Sequence, residues 1–109
     1  MSLKATIYTG RNNTFTVEFQ DDGAVVNLAA MTKVQVNVAG ESYNSVDHAG
    51  LFDVSDVANG RITFDLGGQN IVEAEYNASI ILFDGVNTNG IVWVHEDDDV
   101  PLVLEFISD

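Results

Sequence analysis

Residues 14–20 read TFTVEFQ, so that Phe15, Val17 and Phe19 alternate with polar side chains. Because successive side chains of a β-strand point to opposite faces of a sheet, this pattern predicts a strand with one buried and one solvated face. Strands of this kind are typical of antiparallel sheets. The same alternation occurs in four further stretches, at residues 3–8, 33–38, 61–66 and 102–107.

Short turn signals rich in Gly and Asn separate the predicted strands. Examples are NG at 59–60, DG at 84–85 and NG at 89–90, and these residue types readily adopt the positive φ angles of tight connections. No stretch carries a convincing apolar stripe with the 3.6-residue period of a helix. We therefore predict one all-β domain over residues 1–109, an antiparallel β-sandwich of seven or eight strands in two packed sheets.

The charge of the chain is strongly unbalanced, with 17 acidic residues, 4 basic residues and a formal net charge of −13. Binding to phosphate groups relies on Lys and Arg side chains, and Lys4, Arg11, Lys33 and Arg61 are scattered along the chain. We therefore expect neither nucleic acid nor an anionic membrane as a partner. The acidic surface favours solubility and basic partners or divalent cations.

The chain contains no cysteine, which excludes disulfides, thiolate catalysis and cysteine-ligated zinc. No segment approaches the ~20 apolar residues of a membrane-spanning helix. The first residues lack the apolar core of a signal peptide. We therefore expect synthesis and folding in a cytoplasm.

Two predicted strands in the C-terminal half, at residues 76–83 and 91–96, carry apolar side chains on both faces. Such strands must be covered on both faces. One cover would be a loop folded over the sheet, or an edge strand that crosses between the sheets. The other would be a subunit interface. The interface candidates are Ile81, Phe83, Val92 and Val94.

Candidate catalytic and metal-binding residues are few. His48 and His95 stand in no metalloprotease or nucleophile-elbow motif, so we predict no catalytic residue, no cofactor and no enzyme activity. Clustered carboxylates are good ligands for hard cations, and Asp97, Asp98 and Asp99 are weak candidates for a calcium site. Their run lacks the interleaved Gly or Asn of an EF-hand loop, and a solvated loop between two strands is the competing interpretation.

Three segments carry a resemblance to a known family. They read D-x-G-x-x-x-x-L at 21–28, G-R-I-x-F-x-L at 60–66 and E-Y-x-A-x-I-x-x-F-D-G at 75–85. This order of strands and turns resembles the small immunoglobulin-like β-sandwich at the N-terminus of phage baseplate upper proteins and related tail-fibre proteins. The resemblance implies an immunoglobulin-like fold. It also implies a non-catalytic component of a phage or prophage virion, synthesised in the cytoplasm of a bacterial host.

The leading function hypothesis is therefore a tail- or baseplate-type structural module. It would contact other virion proteins or itself, as a homo-oligomer. The alternative is a carbohydrate- or cell-surface-binding module, assisted by calcium if the acidic run binds that ion. Its motivation is a sugar-stacking platform formed by Trp93, Tyr8, Tyr43 and Tyr76, since β-sandwiches often carry ligands at their loops.

Overall fold

The structure is a computed structural model that describes residues 3–21, 23–69, 71–94 and 102–108. Strands dominate this part of the chain, which confirms the predicted all-β class. Short 3-10 helices lie at Ala49–Leu51, Val57–Asn59 and Gly67–Gln69. Within the described ranges, no helix has the length and apolar character needed to cross a membrane.

The strands are β1 (Leu3–Tyr8), β2 (Phe15–Glu18), β3 (Gln20–Asp21), β4 (Ala24–Val25), β5 (Met31–Val38), β6 (Glu41–Asn44), β7 (Phe52–Asp53), β8 (Arg61–Phe64), β9 (Ala74–Asp84), β10 (Ile91–Val94) and β11 (Leu102–Ile107).

The strands form two sheets and a two-stranded ribbon. The larger sheet has the order β1-β11-β9-β5-β6, with β10 also paired to β9; the smaller sheet has the order β2-β8-β7, and the ribbon is β3-β4. The strand pairs are antiparallel except β1 with β11, which run parallel. The prediction of an antiparallel sandwich is therefore wrong for this pair. Parallel neighbours need a long connection, and the chain between Tyr8 and Leu102 supplies one.

β9 is the central strand of the larger sheet. One side of its residues 79–84 pairs with β5. The other side pairs with β11 along residues 74–78 and with β10 along residues 80–82. β10 and β11 therefore follow one another along the same side of β9.

One hydrophobic core lies between the two sheets. Phe64 of the smaller sheet is fully buried, as are Phe106 and Ile80 of the larger sheet. The Phe64 ring stacks on Phe15 with 5.1 Å between centroids and meets the Phe52 ring edge-on at 5.5 Å. Burial alternates along β11 and most of β5, as the period-two pattern predicted. The two sheets therefore pack face to face as a β-sandwich.

Gly60 occupies a tight crossing before β8. Its φ is +72°, in the left-handed region that favours glycine. A Cβ at this position would lie 2.6 Å from the backbone O of Val26 and 3.0 Å from the backbone O of Phe19. The carbonyl of Gly60 accepts a hydrogen bond of 2.7 Å from the N–H of Phe19. The chain after β2 is thus held against this turn at a distance that leaves no room for a side chain.

We predict that Gly60→Ala lowers the free energy of unfolding by more than about 2 kcal/mol. A left-handed alanine alone costs ~1–2 kcal/mol, and the new Cβ would also collide with two backbone oxygens. Gly40→Ala is the matched control, because Gly40 has a φ of +78° and no atom within 4 Å of an added Cβ. Chemical denaturation followed by circular dichroism measures both variants. Equal losses in the two would contradict the steric role of Gly60.

Candidate interaction site

The carboxylate of Asp84 organises the connection between β9 and β10. Its Oδ1 accepts hydrogen bonds from the backbone N–H groups of Val86, at 2.9 Å, and Asn87, at 2.6 Å. The side-chain amide of Asn87 donates to both carboxylate oxygens at 3.2 Å. The backbone N–H of Asn87 is the largest cause that lowers the pKa of Asp84, followed by the Asn87 side chain and the backbone of Val86. The turn is therefore shaped by bonds that the local sequence itself supplies.

Gly90 packs on the second apolar face of β9. A Cβ at Gly90 would lie 2.6 Å from Cγ2 of Ile81 and 2.8 Å from Cε2 of Phe83. On the neighbouring strand β5, Lys33 Nζ lies 4.2 Å from the centroid of the Phe83 ring, a cation–π contact. Ile81 and Phe83 are both half-buried. Part of their cover thus comes from the chain itself, through Gly90 and Lys33.

Three apolar side chains of the same hairpin are exposed. Val86 is 91% exposed, Val92 52% and Ile91 46%. We define the hairpin surface as Val86 of the turn together with the apolar residues on the strand face that carries Ile81 and Phe83. Ile81, Phe83, Val86 and Val92 form this surface, whereas Ile91 lies opposite Leu82 and shares its face.

The register of β10 departs from simple alternation. Val92 lies opposite Ile81 and Val94 lies opposite Ile80, with a register shift between Val92 and Val94. A β-bulge therefore interrupts the alternation of side chains after Val92. The side chain of Val94 lies outside the described part of the chain, and its interface role stays a prediction.

The structure brings three of the predicted interface residues together. Ile81 and Phe83 both lie against Gly90, and Val92 is the strand partner of Ile81. Sequence reasoning did not name Val86 as an interface residue. The signal for Val86 is a single apolar residue within the polar turn DGVNTNG at 84–90.

The aromatic residues of the predicted sugar platform do not share one surface. Tyr8 lies on β1 and Tyr43 on β6, which are opposite edges of the larger sheet. Tyr43 is buried, and the hydroxyl of Tyr76 donates to a backbone oxygen at 2.8 Å. Trp93 stacks on Phe19 with 5.7 Å between ring centroids. A single stacking platform of all four predicted residues is therefore excluded.

The candidate catalytic and metal-binding residues are only partly described. Nδ1 of His48 accepts a backbone hydrogen bond at 3.3 Å, which is a role within its own loop. In the part of the chain that the structure covers, no group of three or more His, Asp or Glu side chains is placed to hold a metal ion. His95 lies outside the described residues. So do Asp97, Asp98 and Asp99, and their calcium site stays a prediction.

Comparison with known proteins gives a likeness of fold. No protein-family model matches the chain, and no curated protein matches it in sequence. Among solved structures, the chain is similar to part of an endo-β-1,4-mannanase from Thermotoga petrophila, with a TM-score of 0.53 and 12% identity. That likeness covers 100% of this chain and 18% of the mannanase. The chain is also similar to the fibronectin(III)-like modules of Clostridium thermocellum CbhA, with a TM-score of 0.41, 12% identity, and coverage of 100% of this chain and 90% of that chain.

At this level of identity, the mannanase likeness concerns the fold alone. The chain corresponds to less than a fifth of the mannanase, since it spans 18% of that protein. The resemblance to phage baseplate proteins rests on the sequence segments and stays a prediction.

We predict that Asp84→Ala loosens the hairpin turn, because the N–H groups of Val86 and Asn87 lose their carboxylate acceptor. The folded-state pKa of Asp84 is lowered, so these bonds are complete above the unfolded pKa and are lost as the pH falls through the folded pKa. In the wild type, an NMR pH titration should therefore show the amide resonances of Val86 and Asn87 shifting with a midpoint below the ordinary pKa of aspartate. Asp53→Ala is the control, because Asp53 accepts a bond from the N–H of Ser55 in a separate turn. Unchanged amides at Val86 and Asn87 in Asp84→Ala would contradict this account.

Proposed function

We propose that the chain is a non-catalytic structural module that acts through protein–protein contacts, of the tail or baseplate type found in phage or prophage virions. The observation that carries this proposal is the hairpin surface. Its members Val86 and Val92 are exposed beside the half-buried Ile81 and Phe83. Clustered apolar side chains at the surface of a folded domain mark sites of interaction.

Contacts within the fold fix the hairpin that carries this surface. Four hydrogen bonds to Asp84 shape the turn, and Gly90 packs on Ile81 and Phe83. Side chains that are fixed before binding lose less conformational entropy when a partner orders them. A surface of this kind suits a module whose task is to attach to other proteins.

We extend the proposal to the type of sandwich, which is immunoglobulin-like. The order β2-β8-β7 of the smaller sheet corresponds to strands B, E and D of an immunoglobulin domain, and β9-β5-β6 corresponds to strands F, C and C′. β10 and β11 together take the position of strand G beside β9. The family resemblance of residues 21–28, 60–66 and 75–85 supports the same type.

The partner in this proposal is another virion protein or a second copy of the chain. The net charge of −13 favours encounter with a basic partner and slows encounter between two copies. Added salt screens both effects. A complex with a basic partner should therefore weaken as the salt concentration rises, whereas self-association should strengthen.

We predict self-association through the hairpin surface, measured by light scattering coupled to size exclusion over a wide concentration range and at two salt levels. Replacement of Val86 and Val92 by Asn should remove the association, because it removes exposed apolar area without adding charge. The matched control replaces Val46 and Val72 by Asn, since these side chains are 66% and 76% exposed and lie outside the hairpin. The control variant should associate as the wild type does.

A monomer at every concentration, with no binding to other proteins of the same particle, would overturn the proposal. Association that both double variants lose equally would contradict the role of the hairpin surface. The competing carbohydrate-binding function is tested on a glycan array with and without calcium. A glycan signal from a chain that binds no protein would favour that function.

A further inference from the structure

A cleft opens along one side of the sandwich, between the edge strand β1 of the larger sheet and the edge strand β2 of the smaller sheet. Its volume is about 640 Å³, which lies within the range of roughly 300–1,000 Å³ that is typical of ligand sites. Residues 4–6 and 14–18 form its two sides, and the apolar side chains of Phe15, Val17 and Leu102 contribute to its lining.

The pairing of β2 leaves backbone groups directed towards the open side of the strand. In an antiparallel pair, hydrogen bonds join every second residue. The N–H of Phe19 donates to Gly60 O at 2.7 Å, in line with the register that joins β2 to β8. The backbone groups of Val17 therefore also turn towards β8, whereas those of Thr16 and Glu18 turn away from it. In the described part of the chain, no strand pairs with that side of β2.

The edge of β1 shows what such backbone groups bind. The N–H of Thr9 donates to Ile107 O at 2.8 Å, so the backbone groups of Tyr8 and Thr6 turn away from β11. At Tyr8 they are paired with the side-chain amide of Asn13, which accepts from the N–H at 3.1 Å and donates to the carbonyl at 3.1 Å. An amide thus closes this end of the cleft, and the edge groups of Thr6 lie beyond it.

β2 lacks the features that usually protect the edge of a sheet. Folded monomers protect their edges with lysine, proline, bulges or very short strands. The other strand beside the cleft carries Lys4, and the opposite edge of the smaller sheet, β7, has only two residues. β2 reads FTVE, without lysine or proline, and its register with β8 contains no shift. An extended backbone can therefore pair along it.

Side chains around β2 narrow the chemistry of such a strand. On the exposed face, Glu18 and Asp56 share the single cation Arg61, at 3.0 and 3.4 Å, within a chain of net charge −13. A residue directly opposite Glu18 on an added strand has its side chain on that same face, where a cation is attracted. The residue opposite Val17 instead directs its side chain into the apolar part of the cleft.

We propose that the β2 edge binds an extended segment of a partner protein as an added strand, with apolar side chains in the cleft and a Lys or Arg beside Glu18. The added strand runs antiparallel to β2, which is the more stable pairing. Main-chain hydrogen bonds supply affinity and the alternate side chains supply specificity, as in other cases of strand addition. This site belongs to the smaller sheet, is separate from the hairpin surface and does not depend on the partner being a virion protein.

Synthetic peptides that alternate lysine with valine test the pairing. In the antiparallel arrangement, the lysines lie opposite Thr16 and Glu18 and direct their N–H groups at β2, whereas the valine N–H groups point away. We expect saturable binding of a fluorescently labelled peptide, measured by fluorescence anisotropy. N-methylation of the lysines should abolish that binding, and N-methylation of the valines should preserve it. Hydrogen exchange at the amides of Thr16 and Glu18 should become slower in the complex.

Variants of the protein assign the binding to β2. Thr16→Pro removes an N–H that points away from the sheet, a position where an edge strand tolerates proline, and it should abolish binding. Thr6→Pro makes the same change on the other side of the cleft and, as the matched control, should bind as the wild type does. Glu18→Gln should weaken binding of the lysine peptide about twofold to fivefold, the size of one cross-strand charge pair. Thermal unfolding checks that each variant is folded.

Three results would overturn the proposal. One is the absence of saturable binding by the unmethylated peptide. Another is any pattern of N-methylation other than selective loss with the methylated lysines. The third is unchanged binding by folded Thr16→Pro, or loss in folded Thr6→Pro. The variant with Val86 and Val92 replaced by Asn should bind the peptide as the wild type does, so failure of this site and failure of the hairpin surface are distinguishable.

Discussion

β9 pairs with β5 along one side and with β11 and then β10 along the other, so the larger sheet requires this one strand to stay extended over its eleven residues. Ala78, Ser79 and Ile80 are buried where β11 gives way to β10. Each neighbouring strand therefore depends on the same short segment of β9. Because β9 continues past this point to Asp84, it also places the hairpin and its turn at the end of the sheet.

β9 also carries apolar side chains on its second face, and these side chains need to be covered. Leu82 packs against the core, while its neighbours Ile81 and Phe83 alternate to the other side of the strand. Gly90 approaches both of these side chains closely, and Lys33 lies over the Phe83 ring. This intramolecular cover is incomplete. The second face of β9 is therefore only partly covered within the fold. Its remaining apolar area is the part that a partner would bury in the proposed interaction.

Local periodicity was sufficient to predict the strands that form the core. The pattern at residues 33–38, 61–66 and 102–107 places side chains such as Val36, Phe64 and Leu104 inward, and all three are fully buried. These strands are simple to predict because one face of each is apolar, and in residues 33–38 and 61–66 the other face is polar. The pattern also predicted strands with a second apolar face at residues 76–83 and 91–96.

Features that arise from tertiary contacts were not predictable in the same way. The parallel pairing of β1 with β11 joins the first and the last of the described strands along the chain, and no local signal specifies it. The bulge near Trp93 shifts the register of β10, and a pattern that repeats every two residues does not predict such a shift. The exposed Val86 has a sequence signal only in retrospect, as an apolar residue in a polar turn.

Basic side chains of the chain form ion pairs within the fold, and this affects which partners the hairpin surface can attract. Lys4 lies 2.7 Å from Glu75, and Arg61 lies 3.0 Å from Glu18. Such exposed pairs contribute little stability, but they leave two of the four basic side chains facing acidic partners of their own. The surplus of carboxylates therefore dominates the field around the domain. A partner that buries the hairpin surface must either bring positive charge or bind where salt screens the repulsion, which at physiological ionic strength decays over about 8 Å.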